Sequence, residues 1–277
     1  METQVELFHF EPDKKSFEDF SRENGIKFWF ASEFATMLGY ETMEGFRKAI
    51  NRAMVACNTL NIPIDDDFRP VTREIDGKQV HDYKLTRFAC YLIAMNGDVK
   101  KRQVAAAQAY FVTMSDAFRN YVQAQDEVER VVIRSEVADQ ERGLSSAAFN
   151  AKIENYAFFQ NEGYRGLYNM NMKQVKLIKG VPTGRSPLDF MGRQELAANL
   201  FRITQTEAKI VNDNIVGQKQ LERTAFSVGR EVRDTMKKIS GQTPESLPAA
   251  EDIKLVKKGL KGTHKEFKRL DSPKAKN

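Results

Sequence analysis

The stretch DYKLTRFACYLIAMNGD, residues 82–98, decides the reading of this chain. Val80, Asp82 and Lys84 alternate with His81, Tyr83 and Leu85, the two-residue period of a strand. Thr86 stands where an N-cap belongs, because its hydroxyl can accept one of the unpaired N–H groups of a following helix. Phe88, Tyr91, Leu92 and Met95 then fall at i, i+3, i+4 and i+7, one apolar helical face. Asn96-Gly97 is expected to end the helix, with Gly97 taking the left-handed backbone of a C-terminal cap, and Asp98 can cap the helix after it. A strand that turns at once into an apolar helix needs packing partners on both sides.

Upstream, VTREIDGKQVHDYKL (71–85) reads as a hairpin turning at Asp76-Gly77, where a type I′ turn wants positive φ at both positions. Two-residue closure pairs Ile75 with Lys78 and Arg73 with Val80. Ile26–Phe30 is strand-like and follows the turn pair Asn24-Gly25. Ser32 is the expected N-cap of a short helix over Glu33–Leu38 that stops at Gly39, and a second helix is expected from Met43 to Asn58. Trp29, the only tryptophan, is read as a core anchor beside the sheet. The run Asp65-Asp66-Asp67 is read as a solvated loop, since adjacent residues on an extended chain cannot all face one ion.

Downstream, Val99–Arg142 has no proline or interior glycine and is expected to be helical, closing at Gly143 with LSSAA as a joint. Val104, Phe111 and Phe118 form one series spaced by sevens, and Met114, Tyr121 and Val128 another, the form of an a/d seam. Apolar surface left over on that helix would favour a homodimer. The following hundred residues show helical but no comparable strand patterning: Leu196, Leu200, Ile203 and Ile210 share one face, and Leu221, Ala225, Val228, Val232, Met236 and Ile239 another.

Of the 277 residues, 41% are hydrophobic and 29% charged, the composition of a soluble globular chain, with no apolar run of membrane-spanning length and no signal-peptide core. Cytoplasm is the expected location, and Cys57 and Cys90 are read as reduced core thiols. Net charge is +5, but unevenly placed. From Ile253 onward nine basic residues face two acidic ones, a local +7 that leaves −2 for everything before it. Nucleic-acid binding by the folded body would therefore need a local patch.

No catalytic, metal or cofactor constellation stands out. His9, His81 and His264 are scattered without partners at ligand or triad spacing. Gly163 and Gly166 in GYRGLY are too few for a phosphate loop. Asp189, Glu195 and Lys209 are the residue types of a metal nuclease, but they lie along one helical region, where capping or solvated roles are the simpler reading.

FWFASEFATMLGY (28–40), DYKLTRFACYLIAMNGD (82–98), AAAQAYF (105–111), FQNEGYRGLY (159–168), DFMGRQELAANLFRITQTEAKI (189–210) and VGREVRDTMKKI (228–239) together resemble the DNA-damage-inducible protein D (DinD) family, whose N-terminal part is a BRO-N domain. The resemblance implies a non-enzymatic DNA-binding protein of the bacterial or phage DNA-damage (SOS) response. It implies a role in recombination or DNA repair, with single- or double-stranded DNA and a RecA-type recombinase filament as partners, and no membrane. A phage-type antirepressor or transcription regulator is the alternative, and a metal-dependent nuclease a distant third.

The expected fold class is α+β: a small antiparallel sheet with packed helices, followed by a mostly helical domain. The expected division is a BRO-N-like DNA-binding domain over 1–122, a helical linker over 123–144, the helical domain over 145–247 and a basic, disordered tail over 248–277. Beside that resemblance, Arg69, Arg73, Lys78, Lys84 and Arg87 of the hairpin region are expected to meet phosphate, with Arg47, Lys48 and Arg52 and the run Lys100–Arg102 as further surfaces.

Overall fold

The computed structural model describes residues 7–11, 13–75, 77–114 and 121–272, with the backbone alone for 121–125. The chain forms two compact units, one from the chain up to Val132 and from Val256 onward, the other from Ile133–Leu255.

In the first unit, β1 (Arg22–Glu23) and β2 (Lys27–Phe30) form a tight antiparallel hairpin with Gly25 at φ 76°. Next come α1 (Ala31–Met37) and α2 (Met43–Thr59), the latter capped by the Thr42 hydroxyl, which accepts from the Gly45 N–H. One short turn, α3 (Ile64–Asp67), leads into β3 (Phe68–Ile75) and β4 (Lys78–Leu85). The strands are all antiparallel in the order β1-β2-β4-β3. Ile75 pairs with Lys78 and Arg73 with Val80, as two-residue closure requires, and Gly77 sits at φ 73°. Asp76 lies outside the described residues.

Register sorts the two faces of this sheet. Trp29, Leu85 and Phe68 are cross-strand partners in one row and are all buried. Successive side chains alternate, so the next row, Phe30, Lys84 and Arg69, stands on the opposite face. Beneath the first row lies an aromatic core. Trp29 stacks on Phe17 at 4.4 Å and donates its indole N–H to the Phe17 carbonyl, and Phe34, Phe46, Phe88 and Phe111 fill in around them.

Helix α4 (Arg87–Met95) begins as the sequence predicts, with the Thr86 hydroxyl accepting from the Ala89 N–H at 3.2 Å. Its end comes at Asn96, but for another reason than a left-handed cap. Gly97 does not have positive φ; a Cβ there would stand 2.8 Å from Val104 Cγ1. Glycine is needed so that α5 (Arg102–Met114) can close against α4. The α5 residues Val104 and Phe111 are buried, as is Val128 of α6 (Tyr121–Asn150). Phe118 and the Tyr121 side chain, also in the expected seam, lie outside the described residues. Gly143 does not close a helix: α6 runs through it to Asn150, and a Cβ at 143 would meet the Glu207 carboxylate at 3.0 Å.

The second unit is helical, with no strand among its described residues: α7 (Tyr156–Tyr168), α8 (Met172–Ile178), α9 (Arg193–Asn212) and α10 (Gln218–Ser240). Leu167, Tyr168, Leu196, Ile203, Leu221 and Val232 are among its core residues. The glycines of GYRGLY find their purpose here. A Cβ on Gly166 would come 2.2 Å from the Phe226 carbonyl oxygen, and one on Gly229 would come 2.8 Å from that of Gly163. Helices α7 and α10 therefore touch backbone to backbone.

The expected disordered tail is corrected most plainly. Ile253–Asp271 is a helix, α11, and from Val256 onward it belongs to the first unit. Val256, Leu260 and Phe267 are buried, with the Phe267 ring edge-on to Tyr91 at 5.8 Å. Lysines dominate the composition of this segment, yet a sparse apolar stripe is enough to dock it, because long basic side chains on the other face stay in water. Among the described residues no helix is long and apolar enough to cross a membrane.

Two substitutions test this packing by urea denaturation. Phe267→Ala should cost about 3–5 kcal/mol as a buried aromatic deletion. Gly166→Ala should destabilise as well, although alanine is favoured over glycine by about 1 kcal/mol in an open helix.

Candidate nucleic-acid interface

The open face of the sheet gathers cations by register. Arg69 and Lys84 are direct cross-strand partners at the base of the β3–β4 hairpin. Together with Lys27, Phe28 and Thr86 they line a cavity of about 90 Å³. A second cavity of about 90 Å³ shares Arg69 and Thr86 and is completed by His264 and Lys268 of α11. Asp66 stands on the rim of both. Among the described residues Arg69, Lys84 and Lys268 have no carboxylate partner, while Lys27 reaches Glu18 at 3.5 Å. The Lys84 ammonium lies 4.7 Å from the Phe28 ring centre, a placement that leaves the charge available to a further anion.

Two other carboxylates of the second cavity are already engaged. Asp67 is buried, against expectation for a solvated loop; it accepts from the Thr86 hydroxyl, and its other oxygen is 3.0 Å from His264 Nε2, off hydrogen-bond geometry. That contact gains full strength only when the imidazole is protonated. Asp271 is held by Arg87.

Two residues expected at the phosphate surface are taken out of it by the fold. Arg87 is 3% exposed. Its guanidinium donates to Asp271 Oδ1 at 2.8 and 2.6 Å and makes two bonds to the Glu18 carboxylate, with Trp29 beneath it at 4.9 Å. Burial alone would push the Glu18 carboxyl up, but Arg87, the Tyr110 hydroxyl and Lys27 outweigh it and hold it below the usual carboxylate range. At Asp271 burial prevails over Arg87, and the carboxyl is raised.

Arg73 is likewise spent. It bonds Asp82 at 3.1 Å and Glu33 at 3.1 Å, and its guanidinium lies 3.4 Å over the Phe30 ring. Asp82 in turn accepts from the Ser32 N–H at 3.0 Å and the Ser32 hydroxyl at 2.6 Å. A β4 carboxylate thus stands at the start of α1, where Ser32 was expected to act as the cap.

Lys78 is exposed at the hairpin turn, six residues from Lys84 and so about 20 Å along an extended strand. The hairpin set is therefore not one patch. Its base is cationic and open, its middle is neutralised, and Lys78 stands alone at the turn.

The runner-up residues are brought together in part. Lys48 and Arg52 of α2 line a groove of about 680 Å³ with Lys101 and Asn96, and with the carboxylates of Glu41, Asp98 and Glu129. Arg52 donates to the Asn96 side-chain amide oxygen at 3.3 Å and Lys101 to the Gly39 backbone carbonyl at 2.8 Å, so both are held in position. Arg47 is exposed but does not line this groove. Lys27 was missed by sequence reasoning, and Lys268 was read only as one of the basic residues of the tail. Lys27 neighbours nothing basic in sequence, and Lys268 becomes part of the site only once α11 docks.

The three residues of nuclease type are not gathered. Asp189 is bound by Arg134 and Arg185, Glu195 by Lys179 and Tyr168, and Lys209 by Asp213. Among the described residues no group of three or more His, Cys, Asp or Glu side chains is arranged to hold a metal ion.

The BRO family N-terminal domain matches residues 20–113, and the DinD C-terminal domain matches residues 124–256. Over 261 residues the chain is 35% identical to the DNA damage-inducible protein D of Escherichia coli (strain K12), covering 88% of this chain and 94% of that protein. The chain belongs to the DinD family. The BRO match spans the sheet, α1–α4 and nearly all of α5, and takes in Arg69, Lys84, Lys48, Arg52 and Lys101. Most of α11, including His264, Lys268 and Asp271, lies beyond both matched segments.

Arg87→Gln should cost about 3–5 kcal/mol, because it leaves Glu18 and Asp271 without their cation in a buried setting. Thermal and urea melts of this variant against Arg69→Gln, which should stay within roughly 0.5 kcal/mol of the parent, check the assignment of one arginine to the fold and the other to the surface.

Proposed function

We propose that this chain is a non-enzymatic DNA-binding protein of the DNA-damage response, and that it grips the phosphate backbone at the base of the β3–β4 hairpin. The observation that carries this reading is the row Phe30–Lys84–Arg69. It puts two cations side by side on the open face of a sheet, next to Lys27, with no carboxylate neutralising Arg69 or Lys84 among the described residues. Arginine offers a planar fork that matches two phosphate oxygens, and lysine adds a mobile point charge. The chain before Ile253 sums to −2, so outside α11 it can hold a polyanion only through such a local cluster. The groove of Lys48, Arg52 and Lys101 also carries Glu41, Asp98 and Glu129, so its charges balance and the hairpin base is the surface we favour.

Family membership supports the damage-response setting, since a relative is a DNA damage-inducible protein. Within that setting the substrate we favour is a recombination or repair intermediate, either DNA alone or DNA coated by a recombinase filament. The non-enzymatic half of the proposal is supported by the carboxylates. Asp189, Glu195 and Asp271 are each ion-paired to a basic side chain that holds the fold and are not gathered at one site.

The test is a salt titration of binding to labelled single-stranded and duplex DNA, with and without a RecA-type filament. Arg69→Gln with Lys84→Gln should weaken binding on every sequence and flatten the plot of log affinity against log salt by about 0.7–0.9 per lost contact, with an unchanged melting temperature. Equal affinity and slope in the double variant would remove the hairpin base from the interface. Preference for one duplex sequence, with no effect on a filament, would favour an antirepressor or transcription regulator instead. Strand cleavage on adding a divalent metal would overturn the non-enzymatic half.

A further inference from the structure

Helix α11 presents an ordered row of charge that the hairpin groove does not account for. Lys258, Lys261, Lys265 and Lys268 are separated by three, four and three residues. At 3.6 residues per turn they fall within an arc of about 80°, on a line about 15 Å long. All four are exposed, and among the described residues none has a carboxylate partner. The two acids of this helix, Glu266 and Asp271, fall off that arc, and Asp271 is buried against Arg87. The helix is fixed at several points along its inner face: Val256, Leu260 and Phe267 are buried, and the His264 ring lies 4.7 Å from that of Phe88. The lysines are therefore held in a set order by a docked scaffold. At its C-terminal end the row runs into the cavity that Lys268 shares with Arg69.

We propose that α11 is a phosphate ladder, a preset lysine ridge that lies along the backbone of one DNA strand and extends the Arg69–Lys84 groove into a longer track. The inference rests on the DNA-binding reading above and adds the element that holds the body of the strand. Its length supports the match. A strand of B-form DNA presents one phosphate per roughly 3.4 Å of axis, and its phosphates stand farther apart than that along the winding backbone, so a ridge of about 15 Å spans two or three of them, each within reach of one or two lysines. A basic amphipathic helix also suits an anionic membrane surface, but that mode needs the apolar face, and here the first unit already covers it.

The experiment compares the full-length chain with Lys258→Gln, Lys261→Gln, Lys265→Gln and with the matching triple arginine variant. Lys268 is left in place because it also lines the groove. On a DNA of twenty or so nucleotides the glutamine variant should flatten the salt slope by roughly 2–3, at 0.7–0.9 per contact, with no change in melting temperature, and the arginine variant should keep the parent slope. On an oligonucleotide too short to leave the groove, all three proteins should bind alike. A parent that binds no DNA would overturn the underlying reading and this one with it. Normal binding by the parent, with an unchanged slope in the glutamine variant and a reduced slope in the Arg69→Gln, Lys84→Gln variant, would overturn the ladder alone. Loss of binding to a polyglutamate peptide or to anionic vesicles, with DNA binding intact, would also overturn it and assign the ridge to that partner.

Discussion

The buried guanidinium of Arg87 holds the first unit together. It stands at the first position of α4 and takes the carboxylates of Glu18, in the turn over Phe17–Phe20, and Asp271, at the end of α11. One side chain thus ties together segments 69 and 184 residues away from it. Withdrawing the Arg87–Asp271 pair from water is costly, and the cost is met only because the guanidinium fork is fully used, with half-buried Glu18 as its second carboxylate, and lies over Trp29. The arrangement imposes geometry more than it adds stability. It fixes where α11 ends, and so where His264 and Lys268 stand relative to Arg69 and Thr86. A cavity wall assembled from β3, the start of α4 and the C-terminal helix follows from that placement.

The sheet uses a second carboxylate to sort its cations. Asp82 sits on the open face of β4 yet is 2% exposed, because it serves Ser32 of α1, the Tyr83 N–H and Arg73 together. Arg73 is pulled into that network and flattened over Phe30. Lys84 and Arg69 lie on the other side of Asp82 along the strands, make no bond to it and stay open. Two hairpin arginines of identical chemistry and the same strand face therefore have opposite roles. Both stand two residues from Val71, the cross-strand partner of Asp82, but on opposite sides of it, and Arg73 is on the side where Ser32 and Glu33 complete the network.

Much of this was legible in the sequence. The strand into helix at 82–98, the hairpin register, the Thr86 cap and the apolar face of α4 depend on residues near one another in the chain, where periodicity and turn chemistry act. The aromatic anchors were legible for the same reason. What could not be read depends on distant partners. Nothing local marks Arg87 as buried, since its partners come from the two ends of the chain. Gly97 carried the right residue type with the wrong reason attached, because a glycine chosen for close approach to Val104 looks the same in sequence as one chosen for its φ, and Gly143 lies inside α6, not at its end. Gly163, Gly166 and Gly229 show this again: their meaning lies in a helix crossing. Arg69 and Lys84 were legible as candidates, but their difference from Arg73 was not.

The C-terminal segment joins these lessons. Composition called it a solvated tail, since nine basic residues in its length outweigh everything else. Composition, however, averages over faces, whereas a helix separates them. Three buried apolar residues and one buried acid dock one side of α11 on the first unit, and the other side keeps its lysines in water. Docking changes what the same charges can do. On a free chain they form a diffuse cloud whose attraction carries no direction, and ordering them on a ligand costs side-chain and backbone entropy together. On α11 the backbone part of that cost is already met in folding, and the row points along a fixed line toward Arg69. The excess positive charge of this chain is thus part of its architecture, held in place by the same Arg87 contact that closes the fold.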